Sequence, residues 1–391
     1  MKRPRALTMF FVLLSAAVLM TVSLVAAGAM AAPGASHSWR DESPEARRLA
    51  SISEETGLVA ATTPVSEACA YDDTYDVYLC PEPEPTILSR SDPAARAQAL
   101  ALLRTTGLLL IPDSDNDRVM AFDAVTGDLV DPNFVPTDSV NLSTPINAIL
   151  SPSGDSIFVS DQIEDVVQEY DLDGNYMGVF APAGGVDNGI LDNIRGIALR
   201  ANGNLLVTVA MGANAFTVAE FDTAGNYLGN FVAKQAGDLI SPFDAYMRAA
   251  DWLVSDSARA AIRRYDRDSG AYIADFAPID DFPEQITEAA NGNVLVGNFL
   301  GTQEGVVEFT AAGAIVDVYD PPALGHHRGV YELPNGNILT TNDSGVYEID
   351  RSGNVVETKI SDVSARFIEL AGADAGIEET QLYMPIVFYE E

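Results

Sequence analysis

A motif that recurs six times along residues 107–370 constrains the fold of this chain more than any other feature. In each copy an aromatic or aliphatic residue is usually followed by Asp and, a few residues later, by Gly, as in Phe122-Asp123 to Gly127. The copies lie 40 to 51 residues apart and start at the following positions: Phe122, Tyr170, Phe221, Tyr265, Phe309 and Ile349. A period of this length is typical of a β-propeller, in which each repeat forms one blade.

A second turn motif precedes the first in four of the repeats. It has the form Ser-Gly-Asp or Asn-Gly-Asn and is followed by an apolar run, as in Asn202-Gly203-Asn204 before Leu205-Leu206-Val207. Gly after Asn supplies the positive φ angles that tight hairpins require. Each repeat is therefore predicted to form four antiparallel strands, and the chain to be all-β, a six-bladed propeller.

The first repeat lacks its innermost strand, because it begins at Gly107 directly with the sequence of the second strand. The missing strand is found at the other end of the repeats, where residues 365–370 resemble the inner-strand segment 194–199. We predict that this C-terminal strand completes blade 1 and leaves no free sheet edge. The alternative of seven blades would need a degenerate blade within residues 57–104, which carry no repeat motif.

The segment Leu109–Asp123 resembles the central part of an NHL repeat. It combines an apolar strand, Asp113, a polar turn with Asn116, and Arg118 ahead of Phe122-Asp123. The resemblance extends from residue 107 to about residue 370 and weakens in later repeats, which lack the Arg. It implies a six-bladed propeller of the broad class that includes gluconolactonase-like hydrolases and streptogramin lyases. Such patterns specify a fold better than an activity.

The N-terminus has the pattern of a secretory signal peptide. Lys2, Arg3 and Arg5 precede an apolar run, and Ala29-Met30-Ala31 forms an A-x-A cleavage motif. The alternative is an uncleaved membrane anchor, since the run is long enough to span a bilayer. No later apolar run has that length. We therefore predict a protein that is secreted, extracellular or periplasmic, or held at the cell surface.

Between the signal peptide and the repeats lies an extension that is predicted to be partly helical. Helical composition occurs over 42–57 and 92–105, with Ser91 or Asp92 as N-cap of the second helix. Cys69 and Cys80 are predicted to form a disulfide, and alternating prolines follow as a stiff spacer. The predicted segments are a signal peptide (1–31), an extension (32–104), the propeller (105–372) and a tail (373–391).

The chain is strongly acidic. It has 57 acidic and 22 basic residues, a formal net charge of −35. Nucleic acid and anionic membranes require a positive surface, so neither is expected as a partner. We expect a small polar or anionic ligand or a protein partner, and a monomeric protein. Basic residues are scarce, so positions where they cluster are informative.

Scarce arginines recur at the start of the innermost strands, which line the mouth of a propeller's central channel. Alignment on the turns places Arg195, Glu284, Arg328 and Arg366 in this position in four blades, with Phe243 or Asp244 and Ile146 or Asn147 in two others. Arginine forms paired hydrogen bonds with carboxylates and phosphates, which indicates an anion site. The alternative is a structural ring of arginine–carboxylate pairs.

Asp or Asn recurs at the end of the second strand, on the same face. The positions are Asp113, Asp161, Asp256, Asn298 and Asn342. A ring of oxygen atoms could bind calcium or another divalent cation; the alternative is that each Asp or Asn caps the turn that leaves its strand. Asp113 to Asp117 also has the spacing of a calcium loop, but Arg118 stands where the loop needs Gly.

The resemblance adds two enzymatic possibilities at the same face. Gluconolactonase-like enzymes bind a divalent metal with Glu, Asn and Asp, which here implies Glu284, Asn298, Asn342 and Asp256. Streptogramin lyases use a channel-mouth His, which implies His326 or His327 as a general acid or base; the alternative is that both are structural. We therefore expect a non-catalytic binding module, with a metal-dependent hydrolase or lyase as the alternative.

Overall fold

The structure, a computed structural model, describes residues 91–372 and the backbone of two short strands, β1 (Ala70–Asp72) and β2 (Val77–Leu79). These two strands pair in antiparallel orientation. The predicted signal peptide, the helix over 42–57, the Cys69–Cys80 disulfide, the proline spacer and the C-terminal tail lie outside the described residues.

Six four-stranded antiparallel sheets form the ring, which confirms the predicted six-bladed propeller. Blades 1 to 3 are built from β3 (Leu108–Asp113), β4 (Arg118–Asp123), β5 (Leu129–Val135), β6 (Pro145–Leu150), β7 (Ser156–Asp161), β8 (Val166–Asp171), β9 (Tyr176–Ala181), β10 (Ile194–Leu199), β11 (Leu205–Val209), β12 (Thr217–Phe221) and β13 (Tyr227–Val232). Blades 4 to 6 are built from β14 (Pro242–Met247), β15 (Asp251–Asp256), β16 (Ala261–Asp266), β17 (Tyr272–Pro278), β18 (Pro283–Glu288), β19 (Val294–Asn298), β20 (Gly305–Phe309), β21 (Ile315–Tyr319), β22 (Val330–Glu332), β23 (Ile338–Asn342), β24 (Gly345–Ile349) and β25 (Val355–Ser361).

The ring closes as predicted, through a strand from the C-terminal end of the repeats. Strand β26 (Glu369–Ala371) pairs with β3, with Glu369 opposite Leu110. A further bridge joins Ala365 to Asp113. Blade 1 thus obtains its innermost strand, and β3 is no longer an exposed sheet edge.

The hydrophobic core is divided among the interfaces between consecutive blades. Six apolar clusters each join residues of two neighbouring blades, and the cluster that includes Met120 and Leu339 joins blade 6 to blade 1. A single blade has two apolar faces, so it can bury them only between two neighbours. Every blade therefore depends on closure of the ring.

The recurring Asp-to-Gly motif forms the turn between the third and fourth strands. In blade 3 the Asp222 carboxylate accepts hydrogen bonds from the backbone N–H groups of Ala224 and Asn226, both at 2.9 Å. Gly225 has a φ of 76°, and a Cβ at this position would lie 1.8 Å from the Phe180 carbonyl oxygen of blade 2. Glycine is needed both for the turn and for the contact between blades.

Hydroxyl groups on the second strand of one blade donate hydrogen bonds to the start of the inner strand of the next blade. The Thr208 hydroxyl donates to the Phe243 carbonyl at 3.1 Å, and the Ser255 hydroxyl donates to the Glu284 carbonyl at 2.7 Å. The Thr341 hydroxyl donates to the carbonyl of Arg366 at 2.6 Å. These buried bonds fix the positions from which the channel-mouth side chains project.

Just before blade 1, the α-helix α1 (Pro93–Leu103) packs on the outer strand of that blade. The Asp92 side chain caps it by accepting from the Ala94 N–H at 2.7 Å, as predicted for this segment. Arg96 donates to the Phe134 carbonyl at 2.6 Å and lies over the Phe134 ring. Among residues 91–372, no helix has the length and apolar character to cross a membrane.

Candidate functional site

One face of the propeller collects the starts of the inner strands and the ends of the second strands. Pro283 at the start of β18 lies opposite Asn298 at the end of β19, and Pro242 lies opposite Asp256. The residues that follow these starting positions form one ring at the channel mouth: Ile146, Arg195, Phe243, Glu284, Arg328 and Arg366. The structure thus brings together the four residues that the alignment selected.

Glu284 is the centre of an electrostatic cluster in this ring. Its side chain is fully buried, and its Oε1 lies 2.8 Å from Nη1 of Arg328. Burial raises the pKa of Glu284, while the charges of Arg328, Arg366 and Arg195 oppose that rise. Three guanidinium groups therefore act on one buried carboxyl group.

Asp343 is the second carboxylate of the cluster. Nε and Nη2 of Arg328 donate to its two oxygen atoms at 3.1 and 3.2 Å, a paired contact. Partial burial raises the pKa of Asp343, but the charges of Arg328 and Arg366 prevail and hold that pKa below its usual value. With Glu284 ionised, the three arginines and two carboxylates carry a net charge of +1.

Serine hydroxyls accept hydrogen bonds from the other two arginines. Nη1 of Arg195 donates to Ser241 Oγ at 2.9 Å, and Nε of Arg366 donates to Ser114 Oγ at 2.7 Å. Arg195, Arg328 and Arg366 are only 8–9% exposed. Their guanidinium groups therefore form the floor of the mouth rather than its outer surface.

Aromatic rings form a continuous series across the same mouth. Ring centroids lie 5.9 Å apart between Phe367 and Phe243, 5.6 Å between Phe243 and Phe282, and 5.6 Å between Phe282 and Phe299. The series ends at His326, whose ring lies 4.6 Å from that of Phe299. These distances are those of stacked or edge-to-face aromatic pairs.

Two of the arginines lie against this aromatic series. The Arg195 guanidinium lies 4.2 Å from the centroid of Phe243, and that of Arg328 lies 4.3 Å from the centroid of Phe299. Both distances are within the range of a cation–π contact. The mouth thus places positive charge and flat apolar surface side by side.

The two predicted histidines occupy different environments. His327 is completely buried and its Nδ1 lies 3.0 Å from the Thr340 hydroxyl. Burial and the neighbouring His326 lower the pKa of His327 to about 4, so it is neutral near pH 7 and has no access to solvent. The His326 side chain is 49% exposed. Of the two predicted acid–base residues, His326 alone can reach a solute.

Asp256, predicted as a metal ligand, is bound to its own blade. Its carboxylate accepts from the backbone N–H groups of Ile240 and Ser241 at 3.1 and 2.9 Å. It also forms an ion pair of 3.0 Å with Arg263. These contacts join the end of β15 to the loop before β14, so the role of Asp256 is structural, although its carboxylate does not cap the turn that leaves its strand.

The predicted amide ligands also serve local loops. Asn298 Nδ2 donates to the carbonyl groups of Leu300 and Gln303, both at 2.9 Å. Asn342 Oδ1 accepts from the Ser344 N–H at 2.8 Å. The amide oxygen of Asn342 is therefore already engaged within its loop.

The predicted metal set does not fit a divalent cation. Glu284 lies among three guanidinium groups, whose field disfavours a cation, and Asp256 is neutralised by Arg263. Among residues 91–372, no three His, Cys, Asp or Glu side chains are grouped as metal ligands. In the calcium-like segment, Arg118 pairs with Asp113 at 2.9 Å instead of leaving it open.

Replacing Asp256 with Ala should distinguish this structural role from metal binding. The change leaves two backbone N–H groups without their acceptor and removes one of the two carboxylates that pair with Arg263, so we expect the free energy of unfolding to fall by about 3 kcal/mol. The loss should be equal in calcium and in EDTA, measured by denaturant unfolding. A loss confined to the calcium sample would instead support a metal at this position.

The sequence alignment did not select several residues that lie at the mouth, although their position relative to the recurring Asp or Asn identifies them. Each stands directly after one of the recurring Asp or Asn positions: Ser114 after Asp113, Ser257 after Asp256, Phe299 after Asn298, and Asp343 after Asn342. Because the strand ends at the preceding residue, the next side chain turns into the mouth. The mouth residues are therefore found one position after the Asp or Asn that was predicted to lie there.

A second polar cluster lies deeper in the channel. Glu369 Oε1 accepts from Asn147 Nδ2 at 3.2 Å and from Gln285 Nε2 at 3.1 Å. Burial and the nearby Asp244 raise the pKa of Glu369 to about 8. Burial raises the pKa of Asp244 to about 7. The alignment left open whether Phe243 or Asp244 is the mouth residue of blade 4. In the structure Phe243 lies at the mouth and Asp244 lies deeper in the channel.

No known protein family and no curated protein matches the chain. Among solved structures it is similar to a nidogen/laminin complex, with 14% identity and a TM-score of 0.53 over 68% of this chain and 98% of the other. A protein of unknown function from Bacteroides caccae matches with 17% identity and a TM-score of 0.49, over 68% of this chain and 98% of that protein.

A streptogramin B lyase structure matches with 15% identity and a TM-score of 0.47, over 68% of this chain and 87% of the lyase. At such identities structural similarity shows the fold alone. The function therefore has to be argued from the site.

Proposed function

We propose that this chain is a binding propeller, acting outside the cytoplasm, that holds a small anionic ligand at the mouth of its central channel. The observation that carries the proposal is the convergence of Arg195, Arg328 and Arg366 on the buried Glu284. Guanidinium groups form charge-assisted hydrogen bonds with carboxylates and phosphates. The hydrolase or lyase alternative is less well supported, because its metal set does not fit.

The depth of the arginines favours a small ligand over a protein partner. At 8–9% exposure they lie below the rim, where a small molecule can enter and a flat protein surface cannot. The whole chain carries a formal charge of −35. The acidic surface repels anions in general, so the arginine cluster is a localised site at which an anion can bind.

An unpaired acceptor supports a ligand that also donates a hydrogen bond. Glu284 Oε2 is buried and has no hydrogen-bond partner among the described residues. Leaving a buried acceptor unpaired costs about 1–3 kcal/mol. A hydroxyl or amino group on the ligand would remove this cost while its anionic group contacts the arginines.

Calorimetric titration of the full chain with lactate and 3-phenyllactate tests the proposal. We expect at least one of these hydroxy acids to bind, and Arg366→Gln to weaken binding about tenfold, because one charge-assisted hydrogen bond is lost. Arg104→Gln removes the same charge from the exposed end of α1 and should leave the affinity unchanged.

Glu284→Gln should have the opposite effect. It removes a negative charge from the cluster while conserving the shape of the side chain. We therefore expect 3-phenylpropionate, an acid that has no hydroxyl group to donate to Glu284 Oε2, to bind about threefold to tenfold more tightly. Circular dichroism would verify that each variant is folded. Absence of binding by both acids, or equal affinities of wild type, Arg366→Gln and Glu284→Gln, would contradict the proposal.

A further inference from the structure

The aromatic series at the mouth has a buried end and an accessible end. Phe243 and Phe367 are 4% and 0% exposed, whereas Phe282 and Phe299 are half-buried and His326 is exposed. The inner rings form an apolar cluster with Ile146. The outer rings retain open surface directly beside the guanidinium group of Arg328, which lies over Phe299.

Two of the outer rings project from an unfavourable backbone conformation. Phe282 has a φ of 70° and His326 a φ of 59°, and such left-handed values are disfavoured for bulky side chains. Backbone bonds hold both residues in place: Phe299 N–H donates to the Phe282 carbonyl at 3.0 Å, and His326 N–H donates to Glu304 at 2.7 Å.

The equivalent position in another blade shows which residue the backbone alone would favour. Asn193 precedes the inner strand of blade 3 just as Phe282 precedes that of blade 5, and it has a φ of 51°. Asn adopts this conformation at little cost. Blade 5 instead carries an aromatic ring that is only half-buried. Phe216, in the loop between β11 and β12, has a similar φ of 68°, so strain occurs at structural positions as well as at binding sites. What distinguishes Phe282 is the position of its half-buried ring, which lies 5.6 Å from the ring of Phe299 beside Arg328.

From these observations we infer that the ligand is an aromatic carboxylic acid, whose ring stacks on Phe282, Phe299 and His326 while its carboxylate contacts the arginines. This inference rests on the proposed function. The distance of 4.3 Å between the Arg328 guanidinium group and the centroid of the Phe299 ring places the two kinds of contact within one small molecule. A phosphate or an aliphatic acid would use the arginines and leave the half-buried rings uncovered.

Three probes separate the contributions of the ring and the charge. We expect 3-phenyllactate to bind at least about tenfold more tightly than lactate, because only it covers the aromatic rings. We expect 3-phenyl-1,2-propanediol, which has the ring and no carboxylate, to bind about tenfold more weakly than 3-phenyllactate. Calorimetric titration of the full chain measures all three affinities.

Phe282→Asn tests the ring without imposing backbone strain, because Asn favours a positive φ. We expect it to weaken 3-phenyllactate about tenfold, to leave lactate unchanged, and to leave the unfolding temperature unchanged or higher. Phe216→Asn is the matched control: Phe216 has a φ of 68° in the loop between β11 and β12, and its replacement should not alter binding.

The outcomes distinguish this inference from the proposed function. If lactate binds as tightly as 3-phenyllactate, or if Phe282→Asn leaves their ratio unchanged while Arg366→Gln weakens both, the aromatic ligand is wrong and the anion site stands. If neither acid binds, both proposals are wrong. If 3-phenyllactate and the diol bind equally, the ring is recognised without the arginines, and the carboxylate is wrong.

Discussion

A chain that ends at Asp362 should fail to fold cooperatively. It lacks the strand β26 and the buried side chains of Ala365, Phe367 and Ile368. Loss of one buried Phe alone costs about 3–5 kcal/mol, and the whole segment costs on the order of 10 kcal/mol, comparable with the total stability of a domain. Thermal unfolding followed by circular dichroism should show no sharp transition, because blade 1 loses its inner strand and the ring opens.

A chain that ends at Gly372 is the matched control, since it removes residues 373–391 and conserves β26. It should unfold in one cooperative transition, because the closed ring is conserved. The stability of the point variant Phe367→Ala should lie between those of the two shortened chains, with a free energy of unfolding lowered by about 3–5 kcal/mol. Cooperative unfolding of the shorter chain at the full-chain temperature would mean that closure by residues 365–371 does not hold the ring together.

Glu369→Gln should stabilise the protein at pH 8 and have little effect at pH 5. The folded-state pKa of Glu369 is raised to about 8, so the folded chain retains a proton that the unfolded chain releases above about pH 4.3. Stability of the wild type therefore falls as pH rises from about 5 to 8. Gln conserves the acceptor for Asn147 and Gln285 without the charge, and we expect a gain of about 2 kcal/mol at pH 8.

Denaturant unfolding at pH 5, 6, 7 and 8 measures this difference. Asp244, with a pKa raised to about 7, should give the variant a residual decrease in stability over the same range, with the same sign. Glu164→Gln is the control, because Glu164 is exposed in the loop after β7. Parallel pH profiles of wild type and Glu369→Gln would show that Glu369 is ionised without penalty in the channel.

The sequence pattern did not predict the different environments of the two neighbouring histidines. His326 and His327 are adjacent in the sequence, and both were predicted at the mouth. Their exposures differ completely, because His327 enters the buried inner-strand register while His326 occupies a left-handed position outside it. The choice between them depends on packing against Phe299, which follows β19, and Thr340, which lies in β23.

The blade count, the turns and the closing strand followed from the sequence alone. The determinants are local: an Asp that caps its own turn, a Gly at positive φ, and a segment at 365–370 that matches 194–199. The partners at the mouth did not follow, because Arg328, Glu284 and Phe299 come from separate segments of blades 5 and 6 and meet only when these blades pack together. Local turn chemistry determines the blades, whereas charge balance and ring stacking depend on distances across the channel that only the tertiary structure defines.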